Sequence, residues 1–241
     1  MAVAATNLTS KFSDNGSFTS IVTASISPSA NNLILASVTS RRGDGANPSV
    51  PSLSGNGLTW VQVATIIWDT TSASRRTLTV FRAMGSSPSA GALTASWGAE
   101  VQTDICISVT QYSGVDTSGT NGSGAIVQSA TNKDETGTAT SLTITLGAFG
   151  SVNNATFGAL ADGNGASETA SAGTGFTMKG SAQCVVSDAL SVYDEFRSDN
   201  DTTVNFTWTT GINAGGIACE IKAAVTTVVK DLIGGFIPFA R

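Results

Sequence analysis

The chain has 241 residues, of which 12% are charged, with a formal charge of −5 and no histidine. The missing histidine excludes Ser-His-Asp and Cys-His catalysis and histidine-ligated zinc, and 12 Lys and Arg against 17 Asp and Glu argue against a nucleic-acid partner, which needs clustered cations. Apolar residues make up 41%, enough for a sizeable core, while about a quarter of the chain is Ser or Thr, a composition of strands and tight turns rather than helices.

Residues 1–12 carry no long apolar run behind a basic start, so no cleaved secretory signal is expected. No apolar stretch reaches the roughly 18 residues of a membrane span. After a turn at Asp14-Asn15-Gly16, Phe18, Val22, Ala24 and Ile26 share one parity, and Leu33–Ala36 is a continuous apolar run that fits a strand buried on both faces. Leu58–Trp68 is apolar at both parities and predicts a central strand. Half-buried patterns follow at Leu78 and Val80, at Leu93, Ala95 and Trp97, at Ile105, Ile107 and Val109, and at Leu142, Ile144 and Leu146. Later, Val204, Phe206 and Trp208 alternate with Asn205 and Thr207, and Ile217, Cys219 and Ile221 with Ala218, Glu220 and Lys222.

Gly, Asn and Asp clusters separate these segments, at Gly43-Asp44-Gly45, Gly55-Asn56-Gly57, Gly119 to Gly124 and Asp162 to Gly165. The reading is an all-β antiparallel β-sandwich of jelly-roll or Greek-key topology, with about 11–13 strands. It forms one domain over residues 1–223, because no linker or charge block divides the chain. Residues 224–241 break the pattern and predict a short helical or extended arm. Val225, Val228, Val229 and Leu232 sit at helical spacing, and Gly234-Gly235 precedes the apolar tip Phe236-Ile237-Pro238-Phe239-Ala240-Arg241. Either the arm caps its own sandwich, or Val225, Val228, Val229, Leu232, Phe236, Ile237 and Phe239 dock on a neighbouring subunit.

Candidate chemistry is sparse. Cys106, Cys184 and Cys219 match no zinc or redox spacing and lie in apolar strand patterns, as free buried thiols would. Asp194-Glu195 is a local acidic pair beside Tyr193, but neighbours on a strand face opposite ways, a poor start for a glycosidase. Glu220 is expected to face outward. Asp199-Asn200-Asp201, Asp162-Gly163-Asn164 and Asp116 with Asn121 offer oxygen ligands on loops, without an EF-hand pattern, so metal binding stays open and no cofactor is expected. Arg41-Arg42 and Arg75-Arg76 read as solvated strand ends, and Arg42-Gly43-Asp44 as a chance tripeptide.

Three segments carry a family resemblance: Gly55-Asn56-Gly57-Leu58-Thr59-Trp60, Arg76-Thr77-Leu78-Thr79-Val80-Phe81-Arg82-Ala83 and Tyr112-Ser113-Gly114-Val115-Asp116. With them the chain resembles β-sandwich, jelly-roll-like structural proteins of tailed bacteriophages and prophages. The resemblance implies a non-enzymatic virion component, often a homotrimer, that contacts other capsid or tail proteins and reaches the particle by assembly. Lacking a fibre shaft, the chain fits a capsid decoration (cement) protein better than a fibre. The rival expectation is a lectin-like adhesion module for a host glycan, with Trp68, Trp97 and Tyr112 as contacts wherever they face water.

Overall fold

The computed structural model describes residues 2–187 and 189–225, so Val228, Val229, Leu232, Phe236, Ile237 and Phe239 of the expected arm lie outside the described residues. Sixteen strands are present among the described residues. The first eight are β1 (Ala4–Ser13), β2 (Ser20–Val22), β3 (Leu33–Arg42), β4 (Ser52–Ser54), β5 (Val61–Trp68), β6 (Arg75–Ala83), β7 (Thr94–Ser96) and β8 (Asp104–Ser113). The second eight are β9 (Ile126–Asp134), β10 (Ser141–Thr145), β11 (Ala155–Asp162), β12 (Ser171–Ala172), β13 (Thr177–Gln183), β14 (Ser191–Arg197), β15 (Thr203–Thr207) and β16 (Ala214–Ile221). The excess over the expected eleven to thirteen comes partly from elements too short to show a period, such as β4 and β12, and partly from polar edge strands such as β1.

Every named pairing is antiparallel, and the strand orders repeat. The first eight strands form a five-stranded sheet β1-β8-β3-β6-β5 and a three-stranded sheet β2-β7-β4. The second eight form β9-β16-β11-β14-β13 and β10-β15-β12. Counting each set from its own first strand, both read 1-8-3-6-5 and 2-7-4. This is the double Greek-key wrapping of a jelly roll, made twice. Residues 1–223, expected as one domain, therefore hold two eight-stranded units of the same topology with a shared core.

The layers follow from which residues are apolar. In β3, Leu33 and Leu35 face the other unit while Ile34, Ala36 and Val38 face the three-stranded sheet of their own. A strand with both faces covered reads as the unbroken apolar run seen in the sequence. The shared core sits between the two five-stranded sheets, where Leu33, Leu35, Leu78, Val80, Cys106 and Tyr112 meet Phe157, Val192, Phe196, Ile217, Cys219 and Ile221. Tyr112 stands edge-on to Phe157, ring centroids 6.1 Å apart, and 5.5 Å from Phe196. Two outer cores complete a 3-5-5-3 stack: Ile21, Leu93, Ala95 and Trp97 close one side, and Leu142, Ile144, Val204 and Phe206 the other.

The stacking is two-fold in character. β1 lies against β13 and β5 against β9, while β8 faces β14 and β6 faces β16. The first strand of each unit thus covers the fifth of the other, and the eighth covers the sixth. That reciprocity is the mark of an isologous dimer interface, here built into one chain.

Close approach across the interface has a sequence requirement at β16. A Cβ on Gly215 would lie 2.5 Å from Trp68 Cδ1, whereas one on Gly150 would meet nothing within 4 Å. Gly215→Ala is therefore expected to cost about 1–3 kcal/mol by overpacking, and Gly150→Ala to stay within about 0.5 kcal/mol of wild type. Urea midpoints of the two variants check this. Equal midpoints would contradict the packing of Trp68 on the β16 backbone.

Several local expectations are revised. β5 is an edge strand rather than a central one. Its apolar residues at both parities arise from a register shift against β6 between Gln62 and Ala64, after which Ala64, Ile66 and Trp68 point into the shared core. Arg76, expected to be solvated, is buried, pairs with Asp69, and holds its guanidinium 5.2 Å from the Trp68 ring centroid. Burial pulls its pKa down to about 10. Glu220, expected to face outward, is fully buried.

Candidate functional site

An open concavity lies where the two units end together. Val115 bridges Ala223, Asp116 N–H donates to Lys222 O at 2.9 Å, and Ala224 N–H donates to Gly114 O at 2.9 Å. The Lys222 ammonium pairs with Asp116 at 2.6 Å, and that partner holds the Asp116 carboxyl down to about 2. Beside this junction is a cavity of about 870 Å³, lined by Ala2, the 150–154 turn, Val127 at the start of β9, Glu220, and residues 222–225.

Its floor is polar but closed. Glu220 accepts one amide N–H from Asn154 and one from Gln128, each at 2.6 Å, and Asn154 Oδ1 accepts the Ala223 N–H at 3.2 Å. These bonds satisfy both carboxylate oxygens and explain why a charged residue tolerates full burial on β16. What the cavity presents outward is its rim. Val127, Val152 and Val225 are 51%, 75% and 80% exposed, and the chain runs on from Val225 at that rim. Three bare valines around one opening form an apolar surface with no cover among the described residues. The geometry suits docking of an apolar segment.

Trp68 and Tyr112 are fully buried and Trp97 is 6% exposed. The condition for a sugar-stacking platform, an aromatic facing water, is thus not met by any of the three expected glycan contacts. Trp97 packs in the first outer core and donates its indole N–H to Ser49 O at 2.9 Å, as Trp208 in the second outer core does to Ala139 O at 2.8 Å. The placement is that of core tryptophans whose polar tip is satisfied.

The acidic loops are internally paired. Arg197 bridges Asp199 and Asp201, each at 2.5 Å, and Asp44 is held by Arg42, which also reaches Glu100 at 2.9 Å. The Arg42-Gly43-Asp44 tripeptide thus has its two charges turned on each other. Asp14, Asp104 and Cys184 place ligand atoms within 4.8 Å of one another. Their oxygens, however, accept from Val185, Val186, Ser187 and Asn15 N–H groups and from Arg41. A cation there would face a guanidinium and oxygens already occupied.

Asp194 and Glu195 face opposite sides of β14, as their adjacency requires. Asp194 points into the shared core and accepts Ser37 Oγ–H at 2.6 Å; Glu195 points to the outer side and accepts Gly173 N–H at 2.8 Å. Burial pushes their pKa values up to about 7 and about 8, and that of Asp162 to about 7. Asp194 and Glu195 are thus core carboxylic acids on opposite faces of one strand, an arrangement in which the two do not converge on one bond.

Among the arm residues expected from the sequence, Val225 is in view and is the most exposed residue of the rim. Sequence reasoning missed Val127, Val152, Asn154 and Glu220. A single signal existed for one of them, Val152, an isolated apolar residue inside a polar turn. Comparison with known proteins finds no matching family model, no matching curated protein and no matching solved structure.

Proposed function

We propose that this chain is a non-enzymatic structural protein of a bacteriophage virion, a capsid decoration (cement) protein that self-associates through the cavity rim at Val127, Val152 and Val225. The observation that carries the reading is that rim: an open apolar collar at the very point where residues 226–241 depart. The occupant is the segment Phe236–Phe239 of a neighbouring copy. Sixteen residues, 226–241, can span up to about 50 Å when extended, enough to reach a second molecule. The segment carries two Phe and one Ile that need cover. Supporting the structural role, the interior carboxylates and arginines are each consumed in pairing or burial, and two fused jelly rolls make a rigid block suited to repeated packing.

Light scattering at matched concentration tests this with the full chain, a chain ending at Val225, and Val152→Asp. Ending at Val225 keeps the Ala223 and Ala224 bonds that close the fold. The full chain is expected as a trimer or another closed oligomer, and the other two as monomers with Tm unchanged within a few degrees, since an exposed valine contributes little to stability. A monomeric full chain would overturn the assembly mode. Detection of the chain in density-banded phage particles, with loss of that association on removing residues 226–241, tests the virion location; absence from the particles refutes it.

A further inference from the structure

We propose that Cys106 and Cys184 form a disulfide that ties the first jelly roll to the second when the protein meets a peroxide. Cys106 lies in the middle of β8 and Cys184 just past the end of β13, on opposite sides of the shared core. Both are fully buried, with sulfurs 3.6 Å apart. A disulfide needs about 2.05 Å between sulfurs, so closure asks for a shift of roughly 1.5 Å. Cys184 sits where such a shift is easiest. Its backbone is pinned through Cys184 N–H to Leu190 O and Ala166 N–H to Cys184 O, both at 2.9 Å, which leaves the side chain to turn. The next two residues, Val185 and Val186, are 58% and 70% exposed, so a small oxidant approaches from that side.

The two thiols have unequal parts. Cys184 lies beside the exposed Val185 and Val186, on the side from which the oxidant comes, whereas Cys106 lies in mid-strand, where burial together with the neighbouring Cys184 thiol pushes its pKa well up, so the reaction starts at Cys184. The Cys184 sulfur attacks one peroxide oxygen, the O–O bond breaks, and a sulfenic acid and one water are formed. The Cys106 sulfur then attacks the sulfenic sulfur; the S–S bond forms, the S–O bond breaks, and the hydroxyl leaves as a second water with the Cys106 proton. Two thiols and one peroxide become one disulfide and two waters.

The consequence is mechanical. The link would join the two units covalently across an interface otherwise held by packing, hydrogen bonds and ion pairs, and it would close a loop of some 80 residues. That is the kind of lock a particle component gains on leaving a reducing cell.

The test treats full-length protein with hydrogen peroxide, denatures it, alkylates remaining thiols with N-ethylmaleimide and maps the peptides by mass spectrometry. The expected product carries one alkylated cysteine, Cys219, and a Cys106–Cys184 cross-linked peptide. Its Tm is expected to rise by roughly 5–10 °C, as a constraint on a loop of that length gives in a chain of this size, and to return on reduction. Cys219→Ser should keep the link and Cys184→Ser should abolish it. Three alkylated cysteines after peroxide, a link through Cys219 or between two copies, or Cys184 converted to its sulfinic acid without a link would each overturn the proposal.

Discussion

Replacing Trp68 with alanine is expected to remove about 3–5 kcal/mol of stability, which in a chain of this size lowers Tm by roughly 10–15 °C. The magnitude follows from position. Trp68 ends β5, is fully buried, packs edge to backbone on Gly215 of the second unit, and carries Arg76 over its ring. Arg76 donates to Ala189 O at 3.1 Å and pairs with Asp69, and Asp69 accepts Asn213 Nδ2–H at 2.7 Å. Removing the indole empties the shared core and loosens a polar chain that crosses between units twice. The contact with Gly215 predicts non-additivity: Gly215→Ala should cost much less in the Trp68→Ala background than alone, because the atom it collides with is gone. Additive losses in the double-mutant cycle would place Trp68 elsewhere.

The second large effect is a loss of stability on going from mildly acidic to mildly alkaline pH. Asp162 and Asp194 are raised to about 7 and Glu195 to about 8, in each case chiefly by burial. In the unfolded chain these groups titrate near 4. The folded state therefore binds their protons more tightly, so the stabilisation they contribute is complete below about pH 4 and is lost as pH rises through 7–8. At the acid end, Asp14 and Asp116 are held down to about 2. For Asp14, burial pushes upward but is outweighed by hydrogen bonds from Val186 and Ser187. Their contribution is present above about pH 4 and is lost as pH falls towards 2. The stability maximum is thus expected at about pH 4–6.

Asp194→Asn isolates one group. The substituted amide keeps an oxygen acceptor for Ser37 and cannot ionise. With the Asp194 carboxyl raised from near 4 to about 7, the difference is bounded at about 4 kcal/mol. The variant should therefore lose distinctly less stability than wild type between about pH 5 and pH 8 in urea titrations. Parallel curves would show that Asp194 is not a buried acid.

The sequence was readable wherever a strand had one partner face or two apolar ones. β3, β7, β8, β10, β15 and β16 announced themselves through Leu33–Ala36, Ala95, Ile105 to Val109, Leu142 to Leu146, Val204 to Trp208 and Ile217 to Ile221. The Gly55-Asn56-Gly57 turn was also legible, since Asn56 takes a left-handed φ of 59°, and its amide reaches Ser89 O and Gly91 O at 3.1 and 3.0 Å. β1 was not. Its Thr, Ser and Asn residues form a polar edge strand, bound by Asn7 to Ser108 and Val109 rather than by apolar alternation.

β5 misled because a register shift swaps the buried parity in mid-strand. Alternation also says which face is covered and never by what. The repeated 1-8-3-6-5 order, and the packing of one unit on the other, come from pairings such as β1 with β8, about a hundred residues apart, that leave no local trace. The same holds for the cavity rim: Val152 is a single valine in a polar turn and Val127 the second residue of an Ile-Val pair, and only the meeting of the 150–154 turn with the ends of β9 and β16 makes them a surface.

The claim on which the rest depends is that the two jelly rolls are halves of one core. Expressing residues 1–117 and 118–225 separately and together tests it most directly, read by near-ultraviolet circular dichroism and light scattering. Each half alone would expose the inner face of its five-stranded sheet, Leu33, Leu35, Leu78 and Val80 in one and Phe157, Val192, Ile217 and Ile221 in the other. The expected result is that neither half gives a folded monomer, while the mixture gives a 1:1 complex with the aromatic signal of the intact chain. A folded, monomeric first half with the native signal would contradict the shared core.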